Sequence, residues 1–214
     1  MSRNGTGDGP TIECKENGPY IVRGLDGLTG PAGEPILAKP VMALCRCGGS
    51  ANKPFCDGTH AKNGFSGERI SDGSNDRRDT FVGTAIAIHD NRGLCAHAGI
   101  CTDRLAAVWR LGKEPWIDPD GAAAEAAIDV IQACPSGALG YSRDGAEAAA
   151  PDRAPAITVS KDGPYHVTGG IALADAVQGA IGPRERYTLC RCGASKNKPF
   201  CDGSHWDAGF KDAG

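Results

Sequence analysis

The sequence predicts an α+β protein built from several small, strand-rich units rather than around one large core. Three observations carry this expectation. Gly 31 and Pro 14 in 214 residues make the chain turn-rich, and aromatic residues are only 6 %, which argues against a single large apolar interior. The two ends of the chain repeat one another. Between them lies a segment with its own pattern, in which strands flank an Ala-rich helix.

The repeat is read from identities. Cys45-Arg46-Cys47-Gly48 recurs as Cys190-Arg191-Cys192-Gly193, and Asn52-Lys53-Pro54-Phe55-Cys56-Asp57-Gly58 recurs as Asn197-Lys198-Pro199-Phe200-Cys201-Asp202-Gly203, so 45 maps to 190 and 56 to 201 at one offset of 145. Gly18-Pro19-Tyr20 and Val22 match Gly163-Pro164-Tyr165 and Val167, and Gly64-Phe65 matches Gly209-Phe210. Lys15 matches Lys161 with one residue of slippage, which sets Cys14 against Ser160 and marks Cys14 as a non-ligand thiol that packs. In each repeat two short strands flank a Gly-Pro turn, Thr11–Cys14 with Tyr20–Val22 and Ile157–Val159 with Tyr165–Val167.

The polar stretch 71–79 and the Ala/Pro-rich stretch 146–155 read as linkers, dividing the chain into units 1–70, 80–145 and 156–214. The middle unit reads as βααβ: a strand at Thr80–Ile88, a cysteine loop, a helix near Thr102–Leu111, a helix near Ala122–Gln132 with Ile128 and Ile131 on one face, and a strand at Ala138–Ser142.

Composition removes several function classes. The formal charge is −3 and basic residues are scattered, so nucleic acid is not an expected partner. No stretch approaches the roughly 20 apolar residues of a membrane span, and MSRNGTGDGPTIE contains no secretory apolar run. A cytoplasmic location follows as the expectation, and in that reducing compartment ten cysteines read as metal ligands rather than disulfides. No acid/base pair stands out and no G-x-G-x-x-G follows a strand, so an electron carrier is expected rather than an enzyme.

Each repeat carries C-x-C-x8-C-x3-H: Cys45, Cys47, Cys56, His60 and Cys190, Cys192, Cys201, His205. If the last part opens a helix, the cysteine and histidine four apart lie on one face and grip one metal, near free backbone N–H groups that favour an anionic ligand. Cys45 and Cys47, alternate residues of an extended loop, point the same way and suit a second iron. Structural zinc also accepts Cys3His, although its usual knuckles are C-x2-C. The spacing alone leaves both readings open.

Cys45-Arg46-Cys47, Ser50 and Pro54-Phe55-Cys56-Asp57-Gly58-Thr59-His60, with their counterparts through Cys201-Asp202-Gly203-Ser204-His205, resemble the CDGSH iron–sulfur family, the mitoNEET group. Thr59 stands where serine is commonest and keeps the hydroxyl. The resemblance implies one 2Fe-2S cluster per motif, held by three cysteines and one histidine. It also implies that the two ends pair through their strands as an intramolecular pseudo-dimer, leaving the chain a monomer. A neutral imidazole in place of a thiolate raises the cluster potential and is open to protonation, so acid is expected to loosen these clusters.

Cys95, Cys101 and Cys134 remain, with Pro135 directly after the last. Leu94-Cys95-Ala96-His97-Ala98-Gly99-Ile100-Cys101, Lys113-Glu114-Pro115-Trp116-Ile117 and Cys134-Pro135-Ser136-Gly137-Ala138-Leu139 resemble divergent single-cluster ferredoxin domains. This implies one cubane-type cluster on a half-ferredoxin fold. Three thiolates suit 3Fe-4S; a 4Fe-4S cluster needs one further ligand, for which His97 is nearest in sequence, although a loop histidine bonded to backbone fits equally well.

Of the remaining candidates, His89 reads as an ordinary strand residue, and Trp109, Trp116 and Trp206 as packing. Ser50 and Ser195 either donate to cluster sulfurs or only shape their loops. The function expected is electron transfer between redox partner proteins. An iron–sulfur donor or a redox or pH sensor is the alternative, and a zinc-stapled interaction module the third.

Overall fold

The computed structural model describes residues 9–174 and 185–212. Residues 1–8, on which most of the reading of the amino terminus rests, and parts of the unit 156–214 lie outside them. The first repeat holds β1 (Thr11–Cys14), β2 (Tyr20–Arg23), β3 (Leu28–Thr29) and β4 (Val41–Leu44). The middle holds β5 (Arg78–Val82), β6 (Ala87–Asn91), α1 (Ile100–Arg104), α2 (Ala124–Ala133), β7 (Leu139–Arg143) and β8 (Ala146–Glu147). The second repeat holds β9 (Ala156–Val159), β10 (Tyr165–Thr168), β11 (Ala172–Ala174) and β12 (Tyr187–Leu189). The mixture is α+β and dominated by strands.

A hairpin of four-residue strands is marginal alone, and each terminal hairpin is completed by the other repeat. The sheet orders are β11-β1-β2-β4 and β12-β10-β9-β3. Strand β11 runs parallel to β1, opposing Ala172 to Thr11, and β3 runs parallel to β9, opposing Leu28 to Ile157. Period-2 alternation turns Ile12, Tyr20, Val22 and Leu44 inward from one sheet and Ile157, Tyr165, Val167 and Leu189 from the other, into one shared core. The two buried tyrosines meet edge to face there, with ring centroids 6.1 Å apart.

Their hydroxyls reach across to the opposite repeat. The Tyr20 hydroxyl lies 2.9 Å from the Cys190 carbonyl and 3.0 Å from that of Pro199, and the Tyr165 hydroxyl lies at the same two distances from Cys45 and Pro54. Ladder register also corrects the slippage expected around Lys15. Cys14 opposes Tyr20 as Val159 opposes Tyr165, so the partner of Cys14 is Val159, not Ser160. Lys15 and Ser160 are the matched pair, each donating its amide to the proline carbonyl of the turn. The turn, rather than the resemblance between two lysines, sets the register.

In the middle unit the strand expected at Thr80–Ile88 is two strands. The chain reverses between them, Gly83 N–H donating to Ile86 O at 3.0 Å, and Asp120 Oδ1 accepts from both the amide and the hydroxyl of Thr84 at 2.8 Å. The sheet runs β5-β6-β7-β8, and β8 adds a strand within the stretch read as a linker. The helix expected at Thr102–Leu111 stops at Arg104. Beyond it Val108 and Trp109 turn into the core and Trp109 bridges to Ile117, so their apolar character reports burial rather than a helical stripe. Helix α2 matches its expected span, burying Ala127, Val130 and Ile131 at i, i+3 and i+4. Arg186 of the second repeat closes its end, donating from Nη2 to Ile131 O at 2.9 Å and from Nε to Cys134 O at 2.6 Å. Among the described residues no helix is long and apolar enough to cross a membrane.

The reciprocal tyrosine bonds predict that Tyr20→Phe and Tyr165→Phe each lower stability by about 1–3 kcal/mol, because each strips buried carbonyls of a donor. Denaturant unfolding checks this. Unchanged midpoints in both variants refute a holding role for the pair.

Candidate metal centres

In each repeat the C-x-C pair ends a strand and the third cysteine is folded back beside it. Cys45 and Cys190 donate their amides to Pro54 O and Pro199 O at 2.8 Å, while Cys56 and Cys201 donate theirs to Ala43 O at 2.8 Å and Thr188 O at 3.1 Å. The Sγ atoms of Cys45 and Cys47 stand 3.9 Å apart, and those of Cys190 and Cys192 3.7 Å. The two C-x-C loops also abut one another across the repeats. A Cβ on Gly48 would come within 2.5 Å of Cys192 O and one on Gly193 within 2.7 Å of Cys47 O, both glycines having positive φ, so no side chain fits either position.

The helix expected to open at Cys56 is reduced to a single 3-10 turn at Thr59–Ala61, because Gly58, and Gly203 in the other copy, take φ of 87 in the left-handed region. Asp57 and Asp202, to which the sequence reading gave no role, hold these segments. Asp57 accepts the Ala51 amide at 2.8 Å and the Thr59 amide at 3.0 Å; Asp202 accepts those of Lys196 and Ser204 at the same distances. Thr59 first, then these amides, keep Asp57 well below the usual carboxylate range. Their recurrence in both motifs was the available signal.

Ser50 and Ser195 shape their loops. Each hydroxyl donates to a backbone carbonyl, of Phe55 and Phe200, at 2.7 Å, which commits its proton away from the cysteine sulfurs. Backbone amides reach the sulfurs instead: Gly49 to Cys47, Gly58 to Cys56 and Ala194 to Cys192, all at 3.4 Å. Arg46 and Arg191 are buried, Arg46 donating to Lys15 O in its hairpin turn and to Gly67 O beyond its motif, Arg191 to Ser160 O and Gly163 O in its hairpin turn. Phe65 and Phe210 stack on these guanidiniums.

The copies differ at their histidines. His205 Nδ1 lies 3.5 Å from Cys201 Sγ, whereas His60 Nδ1 lies 3.0 Å from Asn17 O, which can only accept, so that nitrogen carries a proton. His205 is 5 % exposed and Cys201 2 %, while His60 and Cys56 are only half-buried. The cause is the middle unit, which sits on the second copy. Gly93 O accepts from Asn197 Nδ2 at 2.5 Å, and a Cβ on Gly203 would meet His97 Cβ at 3.0 Å, whereas one on Gly58 has nothing within 4 Å. Burial pushes the Cys201 thiol up to about 12 and holds His205 below its ordinary value. The bond from Cys190 pulls Cys192 down to about 7 and pushes Cys190 up. A cation in these pockets offsets the cost of ionising such thiols. Among the described residues no three or more of His, Cys, Asp and Glu converge as a cage for one ion; the close donors come as pairs.

Cys95, Cys101 and Cys134 meet around a cavity of about 240 Å³ that Asp90, Arg92 and His97 also line. Cys95 follows a 3-10 turn at Arg92–Leu94, Cys101 sits in α1, and Cys134 caps α2. Burial raises Cys95 and pushes Cys101 up to about 11. His97 has φ of 52, and its ring is turned against Gly203, at the second terminal motif. Burial pushes Asp90, which the sequence reading missed, up to about 6. His89 faces Thr80 Oγ1 at 3.0 Å as a strand residue. Trp109 is core and Trp116 lies beneath Arg92 at 4.7 Å, while Trp206 is 66 % exposed and tilted against the His205 ring at 4.8 Å.

Comparison with known proteins agrees with these placements. A family model described as iron-binding zinc finger CDGSH type matches residues 17–61 and again 162–206, and one described as a divergent 4Fe-4S mono-cluster matches residues 81–144. The "Uncharacterized protein YjdI" of Escherichia coli strain K12 is 36 % identical over 61 residues, which are 28 % of this chain and 80 % of that protein; the protein of the same name in E. coli O157:H7 matches equally. No solved structure matches. With the two C-x-C-x8-C-x3-H sites and the three-cysteine cavity in place, the chain belongs to the CDGSH-type iron-binding family, with one such domain at each end and a divergent 4Fe-4S mono-cluster domain between them.

Proposed function

We propose that this iron–sulfur protein carries electrons between redox partner proteins in the cytoplasm, without a substrate reaction of its own. In this reading Cys45, Cys47, Cys56 and His60 hold one 2Fe-2S cluster, Cys190, Cys192, Cys201 and His205 hold another, and Cys95, Cys101 and Cys134 hold a 3Fe-4S or 4Fe-4S cluster. The clusters supply one-electron redox chemistry. The chain's residues bind them, exclude water and set potentials through buried amides and guanidiniums.

The observation that carries the reading is the pairing of donors. Cys190 with Cys192 and Cys201 with His205 form two close pairs in one buried loop cluster, which suits a two-metal group better than a single tetrahedral zinc. The strand exchange supports an internal pseudo-dimer, which gives each end the partner strand it needs within one chain. We therefore expect a monomer.

The test is EPR of anaerobically purified protein, as isolated and after dithionite, with iron and zinc counted on the same sample. Rhombic signals that appear on reduction at the terminal motifs, with full recovery on reoxidation, are expected. Stoichiometric zinc without iron overturns the reading.

The exposure of the first copy favours a second role, release of iron and sulfide to an acceptor from that site. A chelator at neutral pH is then expected to remove terminal iron in two phases, with the faster phase absent from Cys56→Ser protein. A single phase, or a faster phase that survives in Cys56→Ser and vanishes in Cys201→Ser, refutes this role.

A further inference from the structure

Three cysteines line the central cavity, yet the family model that covers it is described as a 4Fe-4S mono-cluster domain. Three cysteines leave one iron of such a cluster without a protein ligand. Asp90 lines the same cavity as these three cysteines.

Asp90 lies on β6, two residues beyond the fully buried Ile88 and on the same inward face. It is 1 % exposed, and neither carboxylate oxygen has a hydrogen-bond partner among the described residues. The nearest cation is Arg92, whose Nη1 stands 3.7 Å from Oδ2, beyond hydrogen-bond reach, and whose guanidinium is laid over Trp116. Asp79, directly opposite in the ladder, is a second acid and offers no donor. A buried carboxylate without a donor is costly, and doubly so beside thiolates. Coordination to a bound iron would remove that cost, with Arg92, 3.7 Å away, close enough to balance the carboxylate charge.

His97, the candidate nearest in sequence, also lines the cavity but packs its Cβ and ring edge on the second terminal motif. Its ring lies against Gly203, with Cβ, Cδ2 and Cγ all within 3.4 Å of the position a Cβ would take there. It braces the middle unit on the second terminal motif.

We propose that Asp90 is the fourth protein ligand of the central cluster, joining Cys95, Cys101 and Cys134 through a carboxylate oxygen. The proposal rests on the reading of the three cysteines as an iron–sulfur site, and its test separates the two. The full chain is reconstituted anaerobically with excess ferrous iron and sulfide, and its central cluster is typed by Mössbauer and EPR spectroscopy.

The unaltered protein is expected to hold four irons there. Asp90→Ala and the isosteric Asp90→Asn are expected to lose one, with the near-isotropic signal of an oxidised three-iron cluster, and Asp90→Cys to regain four. The terminal iron, measured on the same samples, reports that each variant has folded. His97→Ala keeps four irons if Asp90 is the ligand. A four-iron cluster in both Asp90→Ala and Asp90→Asn, a three-iron cluster in the unaltered protein, or loss of the fourth iron in His97→Ala alone overturns the assignment of Asp90. Absence of any cubane cluster from the unaltered protein overturns the underlying reading of the site as well.

Discussion

The exchange of strands and tyrosine hydroxyls between the two ends is the constraint on which the terminal sites depend. Neither hairpin has enough strands or apolar area to stand alone. Completing each with a strand of the other creates the core in which Tyr20 and Tyr165 are wholly buried. Each tyrosine then bonds the carbonyls of the first cysteine and the proline in the opposite motif. The backbone of one metal loop is therefore held by the hairpin of the other, and the close approach of Gly48 and Gly193 to the opposite loops reinforces this. Assembly of the core and shaping of the sites are one event.

Burial makes these sites chemically demanding. Thiols at Cys45, Cys190 and Cys201 are almost without solvent and are pushed away from ionisation. Amides aimed at the sulfurs and the buried Arg46 and Arg191 supply positive potential, but a bound cation supplies far more. This is the usual economy of small domains: the metal provides the cohesion that a modest apolar core lacks.

The internal symmetry is broken by the middle unit. It leans on the second motif through His97 and Gly93, and the second repeat returns the contact by sending Arg186 to the end of α2 beside Cys134. One terminal site is thereby sheltered and joined to the central cavity, while its copy keeps an open rim. Two nearly identical motifs thus sit in different dielectric surroundings, a difference of the kind that tunes otherwise equal ligand sets.

The sequence by itself determined the iron–sulfur character of the chain. Ligand types, their spacing and their repetition are local properties, so both Cys3His motifs, the three central cysteines, the hairpins and the Ala-rich α2 were legible, as was the α+β class. Registers and exposures were not. Two lysines suggested a slippage that the turn geometry removes, and the apolar residues at Val108 and Trp109 mimicked a helix because burial, not periodicity, selects them. Only the tertiary structure decided that β3 and β11 cross to the opposite sheets, that His205 is covered while His60 meets Asn17, and that Asp90 lines the central cavity without a hydrogen-bond donor. These facts arise from contacts between segments up to 179 residues apart, such as Tyr20 with Pro199, and nothing in the identity of either residue announces its partner.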